Sequence, residues 1–143
     1  MGKKHQKLKK RVAVLPVLMK KCRKNKKRKK KCKIYLITSR AHSHWIIPTG
    51  KLEKNLSNRR VALLEAFEEA GVLGKLDEQF RIQVLLRRPH CKKKRKTIVF
   101  LLYVNRILNH WPEERERKRK AVSIQSYIKT VSDKKLKKKL LTL

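Results

Sequence analysis

The chain has 143 residues, with 43 Lys and Arg against 10 Asp and Glu, and a formal net charge of +33. A hydrophobic content of 40% excludes a wholly disordered chain and fits one compact domain over residues 1–143. No stretch reaches the roughly 18 apolar residues of a membrane span, and the charge points to polyanionic partners: nucleic acid, phosphorylated metabolites or an anionic membrane surface.

In chain order, Arg11 to Leu18 and Lys33 to Thr38 read as strands, rich in Val, Ile, Leu and Tyr. Between them runs "RKNKKRKKKCK" (Arg23 to Lys33), a long basic loop of a hairpin. "VAVLPVLM" is too short for a signal peptide and is followed by Lys20 and Lys21, so the expected location is cytoplasmic. Trp45 to Pro48 is a short apolar piece ended by the turn signal "PTG". A helix is expected from Asn58 to Ala70, capped by Ser57 or Asn58 and ended by Gly71. Arg81 to Leu86 and Thr97 to Val104 are further strands, and "TIVFLLYV" reads as a central one buried on both sides. A second, amphipathic helix with a Lys-rich outer face is expected within Ile124 to Leu141. Strands mixed with two helices give an α/β sandwich.

The three cysteines, Cys22, Cys32 and Cys91, form no pair of CxxC motifs and read as free thiols of a reducing compartment. A zinc site from Cys22, Cys32, His90 and Cys91 is the weaker alternative. The basic runs, "CKKKRK" (Cys91 to Lys96) included, read first as solvated loops and second as a rim that attracts polyanions.

Against this background "ALLEAFEEAG" (Ala62 to Gly71) stands out. At 100° per residue, Glu65, Glu68 and Glu69 share an arc of about 100°, while Leu63, Ala66, Phe67 and Ala70 lie opposite as the core face. Like charges so placed cost only about 0.2–0.5 kcal/mol per pair, too little to require a cation. The segment Gly50 to Phe80, however, is net −1 in a chain of +33. Carboxylates gathered inside a basic surround suit a hard divalent cation that is shared with substrate phosphates.

From Gly50 to Val72 the sequence resembles the Nudix box, G-x5-E-x7-R-E-U-x-E-E-x-G-U, with U a bulky aliphatic residue. Gly50, Glu65, Glu68, Glu69, Gly71 and Val72 match, and "WIIPTG" is similar to the family's W-x-x-P-x-G entry. "KKRVAVLPV" (Lys9 to Val17), "LITSRAHSHWIIPTG" (Leu36 to Gly50) and "VNRILNHWPEERERKRK" (Val104 to Lys120) look like the diphosphoinositol polyphosphate phosphohydrolase branch and its bacterial relatives. The resemblance implies the Nudix fold, an α/β/α sandwich with a mixed central sheet. It implies hydrolysis of a phosphoric anhydride with Mg²⁺ or Mn²⁺. Glu65, Glu69 and the Gly50 carbonyl would then bind metal, and Glu68 would accept the proton or ligate. Lys9, Lys10, Arg11, Ser39 and Arg40 would contact substrate phosphates, and Glu113, Glu114 or Glu116 would supply a fourth acidic ligand.

The chain departs from the box at Leu56, in place of its first Glu, at Leu64, in place of its Arg, and at Ala66, in place of its aliphatic residue. Leu64 has no hydrogen-bonding group, so the carboxylate beside it has to be held otherwise, by Arg60 or by a Lys outside the box. Three functions stay open. The first is a hydrolase of a phosphorylated small molecule: a diphosphoinositol polyphosphate, a dinucleoside polyphosphate or a nucleoside diphosphate derivative. The second is an RNA 5′-end pyrophosphohydrolase. The third is an inactive basic scaffold that binds RNA non-specifically. The sequence carries no indication of oligomeric state.

Overall fold

The computed structural model describes residues 10–19, 32–87 and 91–143. The strands are β1 (Arg11–Leu18), β2 (Lys33–Thr38), β3 (Trp45–Ile46), β4 (Thr49–Lys51), β5 (Val72–Arg87), β6 (Lys94–Ile107) and β7 (Arg119–Ser123). The helices are α1 (Asn58–Ala70), α2 (Ile124–Thr130) and α3 (Lys134–Leu141). The sheet runs β3-β2-β1-β6-β5, with β4 also pairing β1 and β7 also pairing β2. Among the described residues only β1 and β6 run parallel, in register from Arg11↔Thr97 to Val17↔Tyr103.

Alternation along the strands sorts side chains to two faces. Val12 and Val14 of β1, with Ile98, Phe100 and Leu102 of β6, pack against Val61, Ala62, Ala66 and Ala70 of α1. Ala13, Leu15, Val17, Val99 and Leu101 face the other way, against Ile124 and Ile128 of α2 and Leu136 and Leu140 of α3. Each fully buried Val, Leu or Phe among them contributes roughly 1.5–3 kcal/mol, which makes the sheet the rigid part of the molecule. β6 lies between β1 and β5 and is buried on both faces, as its apolar run suggests.

Pro16 falls between the last pair of β1 with β4 (Ala13↔Thr49) and its first with β2 (Val17↔Ile34). A residue without an N–H is tolerated where a strand changes partner. Arg11 and Ala13 at the N-terminal end of β1, with Thr49 of β4, line the site described below.

Several expectations needed correction. The C-terminal amphipathic stretch is two helices, broken at Val131, because the Asp133 carboxylate accepts from Leu136 N–H at 2.9 Å and starts a new helix. β5 begins at Val72, well before Arg81, and is continued through an irregularity between Leu76 and Arg81. A strand not expected from the sequence, β7, begins at Arg119 and pairs with β2 from Ile37 to Lys33. The basic loop at 23–33 lies outside the described residues, apart from its last two positions. No helix among the described residues is long and apolar enough to cross a membrane.

Candidate active site

The helix α1 carries the carboxylates, and its ends are well defined. Ser57 Oγ accepts from Arg60 N–H at 3.1 Å, and Gly71 takes the left-handed conformation at φ 63°. The buried face of α1 is Val61, Ala62, Ala66, Glu69 and Ala70, whereas Leu63, Leu64 and Phe67 are only half-buried. The carboxylates are therefore not all on the solvent side. Glu69 belongs to the buried face because polar partners from β4 and from the connection before β7 meet it there.

Glu69 Oε1 accepts from Thr49 N–H at 2.8 Å, and Oε2 pairs with Arg117 Nη2 at 2.6 Å. The indole N–H of Trp111 donates to the Glu69 carbonyl at 3.1 Å. Glu65 lies against Glu69 and shares a hydrogen bond with it. It also lies against Gly50, where an added Cβ would fall on the Glu65 carboxylate. A side chain at 50 would thus displace the Glu65 carboxylate from its place beside β4.

Burial raises both carboxyls. For Glu65 the pKa rises to about 8, from burial first and then from the negative charges of Glu69, Glu68 and Glu113. For Glu69 burial raises it to about 7, against the lowering effects of Arg117 and the Thr49 N–H. Both carboxyls are raised and share a hydrogen bond, so the pair retains a proton between them. Glu68 is half-buried, and among the described residues its carboxylate has no hydrogen-bond or ion-pair partner.

Beside Glu69 opens a cavity of about 320 Å³. Five arginines line it, Arg11, Arg40, Arg87, Arg95 and Arg117, together with Ser39, Ser43, Thr49 and Thr97. Among the described residues that line it, Glu69 is the one carboxylate and none is aromatic. Arg11 is buried at the start of β1, where its register partners are Thr97 and Lys51.

Of the expected phosphate contacts, Arg11, Ser39 and Arg40 line the cavity. Lys10 is exposed and does not, and Lys9 lies outside the described residues. Of the three proposed extra acids, Glu113 stands by the cluster, with Arg117 Nε at 3.0 Å and Arg40 Nη2 at 3.9 Å. Glu114 pairs with His110 instead, and Glu116 is exposed. Arg60 is exposed as well, and the cation that enters the cluster is Arg117, acting on Glu69. Leu56 packs onto the α1 side of the core.

Arg87, Arg95 and Arg117 escaped the sequence reading. Arg95 lies in a basic run read as solvated, Arg87 at the end of a predicted strand and Arg117 in a mixed-charge stretch, and only the pairing of β5 with β6 and the return of the chain before β7 bring them to one place. The weak signal was arginine rather than lysine at each of the three positions.

The donor set fits a hard divalent cation: oxygen ligands only, and two carboxylates in contact with a proton between them, where a cation would relieve the crowding. No three His, Cys, Asp or Glu side chains among the described residues already form a metal cage. A zinc centre gains no support: Cys32 is buried and Cys91 half-buried, while Cys22 and His90 lie outside the described residues.

No protein-family model matches the chain. It is 32% identical over 96 residues to Nudix hydrolase 4 of Arabidopsis thaliana, covering 64% of this chain and 44% of that protein. It is 32% identical over 96 residues to diphosphoinositol polyphosphate phosphohydrolase 3-alpha of Mus musculus, covering 66% and 56%. Against diphosphoinositol polyphosphate phosphohydrolase 2 of Homo sapiens the identity is 33% over 96 residues, covering 66% and 51%. The chain thus spans about half the length of the curated relatives it matches. In fold it is similar to the Ap4A hydrolase of C. elegans, with a TM-score of 0.64 at 14% identity over 94% of both chains. It is also similar to a MutT/Nudix family protein from Enterococcus faecalis, with a TM-score of 0.55 at 18% identity over 86% of this chain and 46% of that one. The chain is thus similar in sequence to Nudix hydrolases over about two thirds of its length and shares the fold of Nudix-type structures.

Proposed function

We propose that the chain is a metal-dependent Nudix hydrolase that cleaves a phosphoric anhydride bond in a polyanionic substrate. The substrate would be a diphosphoinositol polyphosphate, a dinucleoside polyphosphate or a nucleoside diphosphate derivative. One observation carries this reading: the Glu65–Glu69 pair adjoins a cavity lined by five arginines. An acidic centre against a basic cavity matches a substrate whose phosphates are held on one side and cleaved at the other.

Glu65, Glu69 and the Gly50 carbonyl would hold Mg²⁺ or Mn²⁺. The ion would supply charge neutralisation on the phosphates and a lowered pKa for the attacking water. Arg11, Arg40, Arg87 and Arg95 bind phosphate oxygens, and the Ser39 hydroxyl adds a donor. Lys10 adds positive charge outside the cavity. Glu68, the carboxylate without a partner among the described residues, takes the proton of the water.

The test is phosphate release from a panel of polyphosphorylated small molecules and 5′-triphosphorylated RNA, with and without Mg²⁺. Turnover of a small molecule should need the metal, fall by about 10²–10⁴ in Glu68→Gln and vanish in Glu69→Gln. Turnover of the RNA alone would favour an RNA 5′-end activity. No turnover of any substrate would favour a scaffold that only binds RNA. Turnover unchanged in both variants would sink the proposed mechanism.

A further inference from the structure

Arg117 is 6% exposed and uses all three nitrogens of its guanidinium on different acceptors. Nη2 meets Glu69 Oε2 at 2.6 Å, Nε meets Glu113 Oε1 at 3.0 Å, and Nη1 donates to the Thr38 carbonyl at 3.0 Å. Two of these acceptors are themselves anchored. Thr38 and Lys118 exchange hydrogen bonds at 3.0 Å, from Thr38 N–H to the Lys118 carbonyl and from Lys118 N–H to Thr38 Oγ1. Glu113 N–H donates to the Glu68 carbonyl at 3.0 Å. The guanidinium is therefore a fixed object, and Glu69 is aimed between it and the Thr49 N–H.

Stability alone gives little reason for this arrangement. Desolvating two charges roughly cancels their attraction, and a buried ion pair is often no better than apolar packing. What a three-way fork adds is direction, which an ammonium ion lacks. The turn before Glu65 holds Leu64, which has no donor.

We propose that Arg117 is a positioning residue: from outside the box it fixes the Glu69 carboxylate in the orientation that a divalent cation requires. The inference rests on the metal-site reading given above. With all its nitrogens engaged, Arg117 is committed to the carboxylates rather than to a phosphate.

The test is Mn²⁺ binding without substrate, read from the free-ion signal in electron paramagnetic resonance. The proteins are wild type, Glu69→Gln, Arg117→Lys and Arg117→Met, each checked for folding by circular dichroism. Partners that orient a metal ligand typically contribute about 10–100-fold in metal affinity. Both Arg117 variants should weaken Mn²⁺ binding by that factor, although Met removes a positive charge that would repel the ion. Full rescue in Arg117→Lys would show that charge suffices and overturn the proposal. So would tighter binding in Arg117→Met, which would mark the guanidinium as a competitor of the ion. Unchanged affinity in both, with only a lowered melting point, would leave Arg117 a purely structural role. If wild type and Glu69→Gln bind Mn²⁺ equally, or neither binds it, the metal-site reading itself fails. Arg117→Gln replaces the Met variant if that protein does not fold.

Discussion

Glu65 and Glu69 touch in a place from which water is largely withdrawn, and the folded protein accommodates them by keeping a proton on the pair. In the unfolded chain the Glu65 carboxyl titrates near its ordinary value of 4.5, against about 8 in the fold. Between those two pH values the folded state binds more protons, so stability falls as pH rises through the window and levels off above it. The melting point of metal-free protein should therefore decline from pH 5 to pH 8 more steeply in wild type than in Glu65→Gln, whose amide does not titrate. Parallel curves for the two proteins would show that the pair does not share a proton. At this scale the sequence was partly legible. Helical spacing puts Glu65, Glu68 and Glu69 together, but spacing carries no information about Arg117, which meets Glu69 from 48 residues away in the chain. Nor does an amphipathicity argument place a carboxylate in a core face. Glu69 is buried because Thr49, Arg117 and Trp111 serve it there.

At the scale of the element, α1 depends on what holds its last turn. Arg119 Nη1 donates to the carbonyls of Ala70 at 2.9 Å, Gly71 at 3.3 Å and Leu108 at 2.9 Å, and its guanidinium carbon sits 4.1 Å from the Trp111 ring centre. A cation at a helix C-terminus is favourable, and stacking on an indole fixes both groups. Gly71 makes this possible, since its φ is 63° and an added Cβ would run into the Trp111 ring. Gly71→Ala should cost at least about 1–2 kcal/mol in urea unfolding, from the left-handed conformation alone. An unchanged midpoint would mean that the cap is not under this constraint. The elements were more legible than the site. α1, its Ser57 cap, the Gly71 stop and the central burial of β6 follow from local pattern. β7 and the break before α3 were missed: in "ERKRKAV" charge hides the strand, and the Asp133 cap interrupts a Lys/Leu pattern that is otherwise continuous.

Across the whole molecule the charge of +33 is a self-repelling field. Lysines of α3 face outward over Leu136 and Leu140, so the field covers the side of the sheet away from α1 as well as the cavity. Screening should stabilise the fold. The melting point is expected to rise from roughly 0.01 M NaCl, where the Debye length is about 30 Å, to roughly 1 M, where it is about 3 Å. A falling melting point would mean that the ion pairs around Glu69 outweigh the repulsion between basic surfaces.

The connection from Leu108 to Arg119 is stitched to the last turn of α1: Leu108 N–H to the Gly71 carbonyl at 2.8 Å, the Trp111 indole to Glu69, and Glu113 N–H to Glu68. This has a bearing on how the protein comes into being on the ribosome. The 23 positions of the box can emerge and coil into a helix while Glu69 still lacks its guanidinium and the helix end its indole. Residues 50–72 are therefore not a portable cassette. Transplanted alone into another scaffold, they would bring the carboxylates without the partners that aim them.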